Sequence, residues 1–530
     1  MHITGGFPLN TTFFRKTACT LLAAASLLLF CGCAPEEAES QPTEMEIITL
    51  PPPPTTEDPA SLIDDAHQAE EIKAVMVAGE LYTLDQYPNL KAVDLSGSTC
   101  YTAIEEYIAE HPHIKVTYTV DLGGTPVPFD ASEATLASGG YTYEALLENL
   151  QYLRSLTSLT LPIDGLNAEQ LSSLAAAYPG IALNYTAQVL GITVESSTTQ
   201  LDLSHMESSQ VSQAASQLAL LPTLETVTLS NSLPMSDVAM LQDACPNTTF
   251  VYSFSLFGKT LSTTDTEISY VGHSIGNAGE EQLRQALEIL DACQRFVLDD
   301  CGMDSEVLAG IREDFRDGPK VVWRVYFGVN NRYDLLTDAD TIDAVYNVTD
   351  ETSANLKYLE DVKYIDIGHN DGLTDFSFVQ YMPELEILIA SESGIKTTDG
   401  FENCKKLTWL ELAYCYKLEN IDALSECEGL RYLNISYSKI TSLAPLDYLA
   451  LERFVYLSPK ASTKEQNTFL AIHPRSECIT VFYGYSMPYS YGWRYDGNGK
   501  TYFWYYKDVV RKVFNYDKKQ AILDAQAAAK

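Results

Sequence analysis

An α/β solenoid is the fold this sequence predicts, with a parallel β-sheet on its concave face and helices and inserted hairpins on the other side. Three observations predict it. A nine-residue pattern, L-x-x-L-x-L-x-x-N/C/S, recurs at 362–370 (VKYIDIGHN), 385–393 (LEILIASES), 407–415 (LTWLELAYC) and 430–438 (LRYLNISYS). Its sixth positions, Ile367, Ala390, Leu412 and Ile435, are 23, 22 and 23 residues apart. The same pattern recurs upstream at a longer period, marked by Leu95, Leu161, Leu229 and Leu298, with steps of 66, 68 and 69 residues and a further 69 to Ile367. Finally, the upstream strands are followed by apolar residues at helical spacing, as in 168–179 (AEQLSSLAAAYP). One short strand and its return loop cannot bury an apolar edge alone, so such units stack and share a continuous core.

The nine-residue pattern resembles the leucine-rich repeat. Segments 417–424 (KLENIDAL) and 439–446 (KITSLAPL), which follow two of the strands, are similar to the return arms of internalin-type repeats. The longer upstream units resemble the double repeats of uncharacterised leucine-rich lipoproteins of Gram-positive bacteria, a resemblance that carries no known activity. What the leucine-rich repeat resemblance does imply is a binding scaffold.

In chain order, residues 1–33 read as an export signal. Arg15 and Lys16 precede an apolar run over 17–30, which is shorter than the roughly 20 residues a membrane helix needs. The run ends in FCGC (30–33), which resembles a bacterial lipobox. Cys33 is the expected site of lipidation, because the small Gly32 precedes it whereas bulky Phe30 precedes Cys31. Residues 34–62 are rich in Pro, Glu, Ser and Thr and include four consecutive prolines, the composition of an extended acidic linker. The long repeats fill 63–361. Each is expected to hold two core strands, two helices and a hairpin broken by glycine, as in 181–194 (IALNYTAQVLGITV). The short repeats fill 362–457. Residues 458–517 form an aromatic-rich end cap, with 14 Phe, Tyr or Trp between 482 and 516, and 518–530 form a tail with little apolar face that is expected to fray.

Net charge is -38, from 72 acidic and 34 basic residues. Such a surface repels nucleic acid and anionic lipid headgroups, so a nucleic-acid partner is not expected. The histidines match no metal-binding spacing: His111 and His113 flank a proline at a helix end, where a turn is the simpler reading. The sequence 496–499 (DGNG) lacks the downstream carboxylates of a calcium loop. No catalytic set, metal site or cofactor is expected, and the chain is expected to act as a monomer rather than as an enzyme.

Cys301 and Cys415 stand at position 9 of their repeats, where a small side chain turns inward to satisfy backbone groups. Cys404 and Cys427 lie one repeat apart and should sit side by side. Strand spacing puts them within reach of a disulfide, and the exported compartment permits oxidation. A Cys404–Cys427 bond and two free buried thiols both remain open.

Strand alternation sends positions 1, 4 and 6 into the core and positions 3 and 5 out of the concave face. Position 3 reads Tyr364, Ile387, Trp409 and Tyr432, then Arg453, with Glu411 at position 5 beside Trp409. Large apolar and aromatic groups on a solvent-facing sheet have the composition of an interaction hot spot. The plainer reading is that they stack laterally and stabilise the sheet. The expected function is therefore a lipid-anchored extracytoplasmic protein that binds a protein partner through this column, with the membrane reached only through its N-terminal lipid. The alternative is an envelope carbohydrate (cell-wall glycan) binder using the aromatic C-terminal region. There Gly492, Trp493 and 502–506 (YFWYY) faintly resemble choline- or glucan-binding repeats.

Overall fold

The structure, a computed structural model, describes residues 67–480, 490–496 and 501–528. The signal, Cys33 and the proline-rich linker lie outside the described residues. The chain divides at residue 68, and the repeats make up the second unit, 69–530.

Every repeat contributes short parallel strands in sequence order. The first long repeats give three-stranded sheets: Glu71–Lys73, Ala92–Asp94 and Lys115–Thr117, then Glu133–Thr135, Ser158–Thr160 and Ala182–Asn184, then Gln200–Leu203, Thr226–Leu229 and Thr249–Val251. A fourth sheet joins Glu267–Val271, Arg295–Asp299 and Lys320–Phe327 in parallel, with Tyr333–Leu336 antiparallel at its edge. The expectation of two core strands per long repeat is thus corrected to three. The third strand runs straight into the hairpin, so one apolar-alternating stretch serves both, and sequence alternation alone cannot mark where the chain leaves the core.

The hairpins themselves are present, for example Thr186–Val189 with Ile192–Glu195 and Ser253–Leu256 with Lys259–Ser262. Their two-residue turns place Leu190 and Gly191, and Phe257 and Gly258, at positive φ. That conformation matches the twist of the flanking strands and suits glycine at the second position.

Helices pack behind the upstream sheets. Ala168–Ala177 shows why they form: Asn167 caps it and Gln170 answers in a reciprocal capping box, while Leu171 and Leu174 bury one face. In the short repeats the helices shrink to 3-10 arms such as Ser377–Tyr381 and Asp422–Glu426. Here seven strands form one parallel sheet: Thr341–Asp343, Tyr364–Asp366, Ile387–Ile389, Trp409–Glu411, Tyr432–Asn434, Arg453–Val455 and Glu477–Ile479. Register is constant throughout, pairing Tyr364 with Ile387, then Trp409, Tyr432, Arg453 and Glu477.

Two boundaries move. The sheet does not stop near 457, because helix Thr463–Ile472 and strand Glu477–Ile479 add a further unit. The pattern fades there, with a polar residue at the first position, since a terminal repeat has one neighbour and less to bury. Within the tail expected to fray, Tyr516–Ala528 is helical and its first turn contacts the sheet.

Candidate functional site

Positions 1, 4 and 6 enter the core as alternation requires: Leu407, Leu410 and Leu412 are fully buried, as are Leu430, Leu433 and Ile435. Position 9 also turns inward. Asn370 donates to the Ala344 and Ile367 carbonyls at 2.9 and 2.8 Å and accepts from the Val348 amide at 2.8 Å. Cys415 stands in the same place and its thiol donates to the Ala390 carbonyl at 3.3 Å. Burial raises its pKa to about 11.

The opposite face is where the sequence expectation fails. Ile387, Trp409 and Glu411 have no exposure, Tyr432 has 2% and Arg453 has 3%, while Tyr364 is half-buried. The chain's own C-terminal segment lies across them. Trp493 stacks on Trp409 with ring centres 4.1 Å apart, and Tyr505 packs against Tyr432 at 4.4 Å. The Arg453 guanidinium sits 4.5 Å over the Phe503 ring and donates to the Tyr495 carbonyl at 2.9 Å. Val455, Leu457, Val510 and Phe514 complete a second apolar core on this side of the sheet. The partner-binding role expected of Tyr364, Ile387, Trp409, Glu411, Tyr432 and Arg453 rested on solvent exposure that this cover removes. Alternation fixes which face a side chain takes. It does not say what a segment some 80 residues further along will do there.

Polar contacts pin the cover. Arg494 grips Glu411 through two nitrogens, at 2.7 and 3.2 Å, with the carboxylate wholly buried. Burial works against the guanidinium's charge, but Glu411 outweighs it and holds the Arg494 pKa above its ordinary value. Tyr516 donates to Asp366, and Lys519 pairs with Asp343. Burial is the main force on Asp366 and raises its pKa, against the Tyr516 hydroxyl and Arg494, which lower it. Read along the sheet, the segment runs backwards from the Arg453–Val455 strand to Thr341–Asp343. The missed signal is complementarity: a column of aromatics and lone acids on the face, and a tail rich in aromatics with Arg494, Arg511 and Lys519.

Cys404 and Cys427 are free thiols, fully buried. Each donates to a carbonyl of the preceding repeat, Cys404 to Val379 at 3.5 Å and Cys427 to Phe401 at 3.2 Å. Repeats related by translation point equivalent side chains the same way, so the two sulfurs do not face one another. Burial holds both thiols up at about 12, which leaves them unreactive at neutral pH.

An open site lies along one edge of the same sheet. Position 8, just before the inward-turning position 9, has positive φ in successive repeats: Tyr346 (71°), His369 (58°), Glu392 (58°), Tyr414 (60°), Tyr437 (61°) and Ser458 (56°). The left-handed region is unfavourable for such residues, by roughly 1 kcal/mol each. The backbone is held there by its neighbour: the amides of His369, Glu392, Tyr414 and Tyr437 each donate to the next repeat, at 2.8–2.9 Å. Their side chains consequently leave the aliphatic core and follow one another in a row, Tyr437 packing against the second apolar core. Tyr346 stacks on His369 at 4.9 Å, His369 bonds Glu392 at 2.9 Å, and Tyr414 stacks on Tyr437 at 4.5 Å. A groove of about 770 Å³ runs beside this row, walled by Tyr346, Tyr414 and Tyr416 and edged by Asp371, Glu392 and Lys417. Among the described residues no group of three or more His, Cys, Asp or Glu is placed to hold a metal ion. No described helix is long and apolar enough to cross a membrane.

No protein-family model and no curated protein matches the sequence. Among solved structures, the chain is similar to a leucine-rich repeat protein of Leptospira interrogans, at 14% identity over 80% of this chain and 98% of that one, with a TM-score of 0.27. It is also similar to an internalin from Listeria monocytogenes, at 14% identity over 67% of this chain and 83% of that one, with a TM-score of 0.24. Superpositions this loose carry no argument, and the repeat fold stands on the strand register described above.

Proposed function

We propose that this chain is a binding protein displayed outside the cytoplasm on a lipid at Cys33. In this reading it engages a macromolecular partner through the groove beside Tyr346, Tyr414 and Tyr416 and catalyses no reaction. The observation that carries the proposal is the row of position-8 side chains. Bulky residues are kept in a costly backbone conformation, repeat after repeat, and two of the tyrosines beside the groove remain largely exposed, Tyr346 at 55% and Tyr416 at 63%. The aromatic column first expected to bind is already occupied by the chain itself. Proximity labelling around the anchored protein in its own cells tests the reading. Partners labelled by the native protein should disappear for a Tyr346→Ala, Tyr416→Ala variant that folds normally. An unchanged set of labelled neighbours would place binding elsewhere.

A further inference from the structure

We infer that the ligand of this groove is a neutral oligosaccharide. The inference rests on the groove being the binding surface and adds the chemistry of what fills it.

The ring faces come first. Tyr414 lies parallel to Tyr437, within 5°, and lines the groove. Tyr416 is tilted 59° from Tyr414 with ring centres 6.1 Å apart, so the two tyrosines form an angled corner. At the far end Tyr346 has one face against His369 and is otherwise largely exposed. Aromatic faces of this kind receive the C–H side of a pyranose ring, which is apolar on that side and polar around its rim.

The polar groups decide between ligands. Asp371 and the His369-paired Glu392 set carboxylates along the groove, and Lys417, whose ammonium lies 3.5 Å from the Asp371 carbonyl, offers a donor. His369 is held by Glu392. In a chain of net charge -38 this lining is close to balanced. A basic peptide would gain little over any other patch of the surface, and an acidic ligand would meet two carboxylates. A ring of hydroxyl groups, each both donor and acceptor, can hydrogen-bond carboxylate and ammonium alike.

The length agrees with this choice. Tyr346 and Tyr414 are three strand spacings apart, about 14 Å, long enough for two or three linked pyranoses. The volume lies within the range of small-molecule sites, about 300–1,000 Å³.

Titration calorimetry on the intact chain tests this, with cellotriose, maltotriose and the N-acetylglucosamine trimer as probes and hexalysine as the contrast. At least one trisaccharide should bind in the micromolar to millimolar range. Tyr416→Ala should weaken it about tenfold or more, and Trp504→Ala, at an exposed aromatic of the C-terminal segment, should leave it unchanged. Failure of all three sugars, binding of hexalysine alone, or loss of sugar binding in Trp504→Ala each overturns the inference. If cellular labelling still depends on Tyr346 and Tyr416 while the sugars fail, the groove remains the binding surface and only its ligand is reassigned. If labelling ignores both tyrosines, the groove reading falls first.

Discussion

Asp366 shows what the covered face demands of single residues. It stands at position 5, where alternation points it away from the core, yet the C-terminal segment buries it. Burial disfavours the charged form, so its folded pKa lies above the unfolded value. Protonation therefore favours folding: the contribution is complete below the ordinary aspartate range and is lost as pH rises through the raised value. Denaturant melts of the native protein should show it gaining stability relative to Asp366→Asn as pH falls towards the ordinary aspartate range. Parallel curves for the two proteins would mean that the Tyr516 hydroxyl and Arg494 already offset the burial. Glu411 is the contrasting case. It is buried as well, but Arg494 meets it with two hydrogen bonds, and a buried carboxylate without such a partner costs about 3–5 kcal/mol.

At the scale of elements, the C-terminal segment and the seven-stranded sheet form one interlocked unit. Trp409 touches Trp493, Tyr505 and Tyr506, and Tyr432 touches Phe503 and Tyr505. Removing a buried aromatic of this size typically costs about 3–5 kcal/mol. The Trp409→Ala, Tyr432→Ala double variant should therefore lose several kcal/mol of stability, on the order of two such deletions less their mutual coupling. Labelling of partners by the folded fraction should not change. Thermal melts alongside labelling check this, and a variant that keeps its stability but loses its partner would return the binding site to this column. Of the position-8 side chains, Tyr346 stays largely exposed, whereas Tyr437 packs against the edge of this covered face.

At the scale of the whole molecule, the proposed display rests on residues outside the described ones. The Gly32–Cys33 junction after a basic and short apolar leader predicts a diacylglycerol on Cys33. The native protein should partition into detergent, and Cys33→Ser should abolish that partitioning. Mass spectrometry that finds an unmodified N-terminus at another residue would remove the anchor from the reading.

The sequence by itself determined the repeat. Aliphatic side chains at positions 1, 4 and 6, with a small polar group at 9, leave a stacked parallel sheet as the arrangement that buries them all, and Leu407, Leu410 and Leu412 lie where that pattern puts them. Alternation likewise assigned Trp409 and Glu411 to the far face. Tertiary structure alone decided the rest, because each remaining question concerned partners distant along the chain or a backbone angle no residue type announces. Trp493 reaches Trp409 across 84 residues, and Arg494 reaches Glu411 across 83, so a face that reads as solvent-exposed is interior. The direction in which Cys404 and Cys427 point follows from the translation between repeats, and it leaves both thiols unpaired. Position 8 holds Tyr, His and Glu where positive φ ordinarily favours Gly or Asn, so its residue types conceal the backbone that turns them outward. Hydrogen bonds between repeats hold that backbone beside the groove.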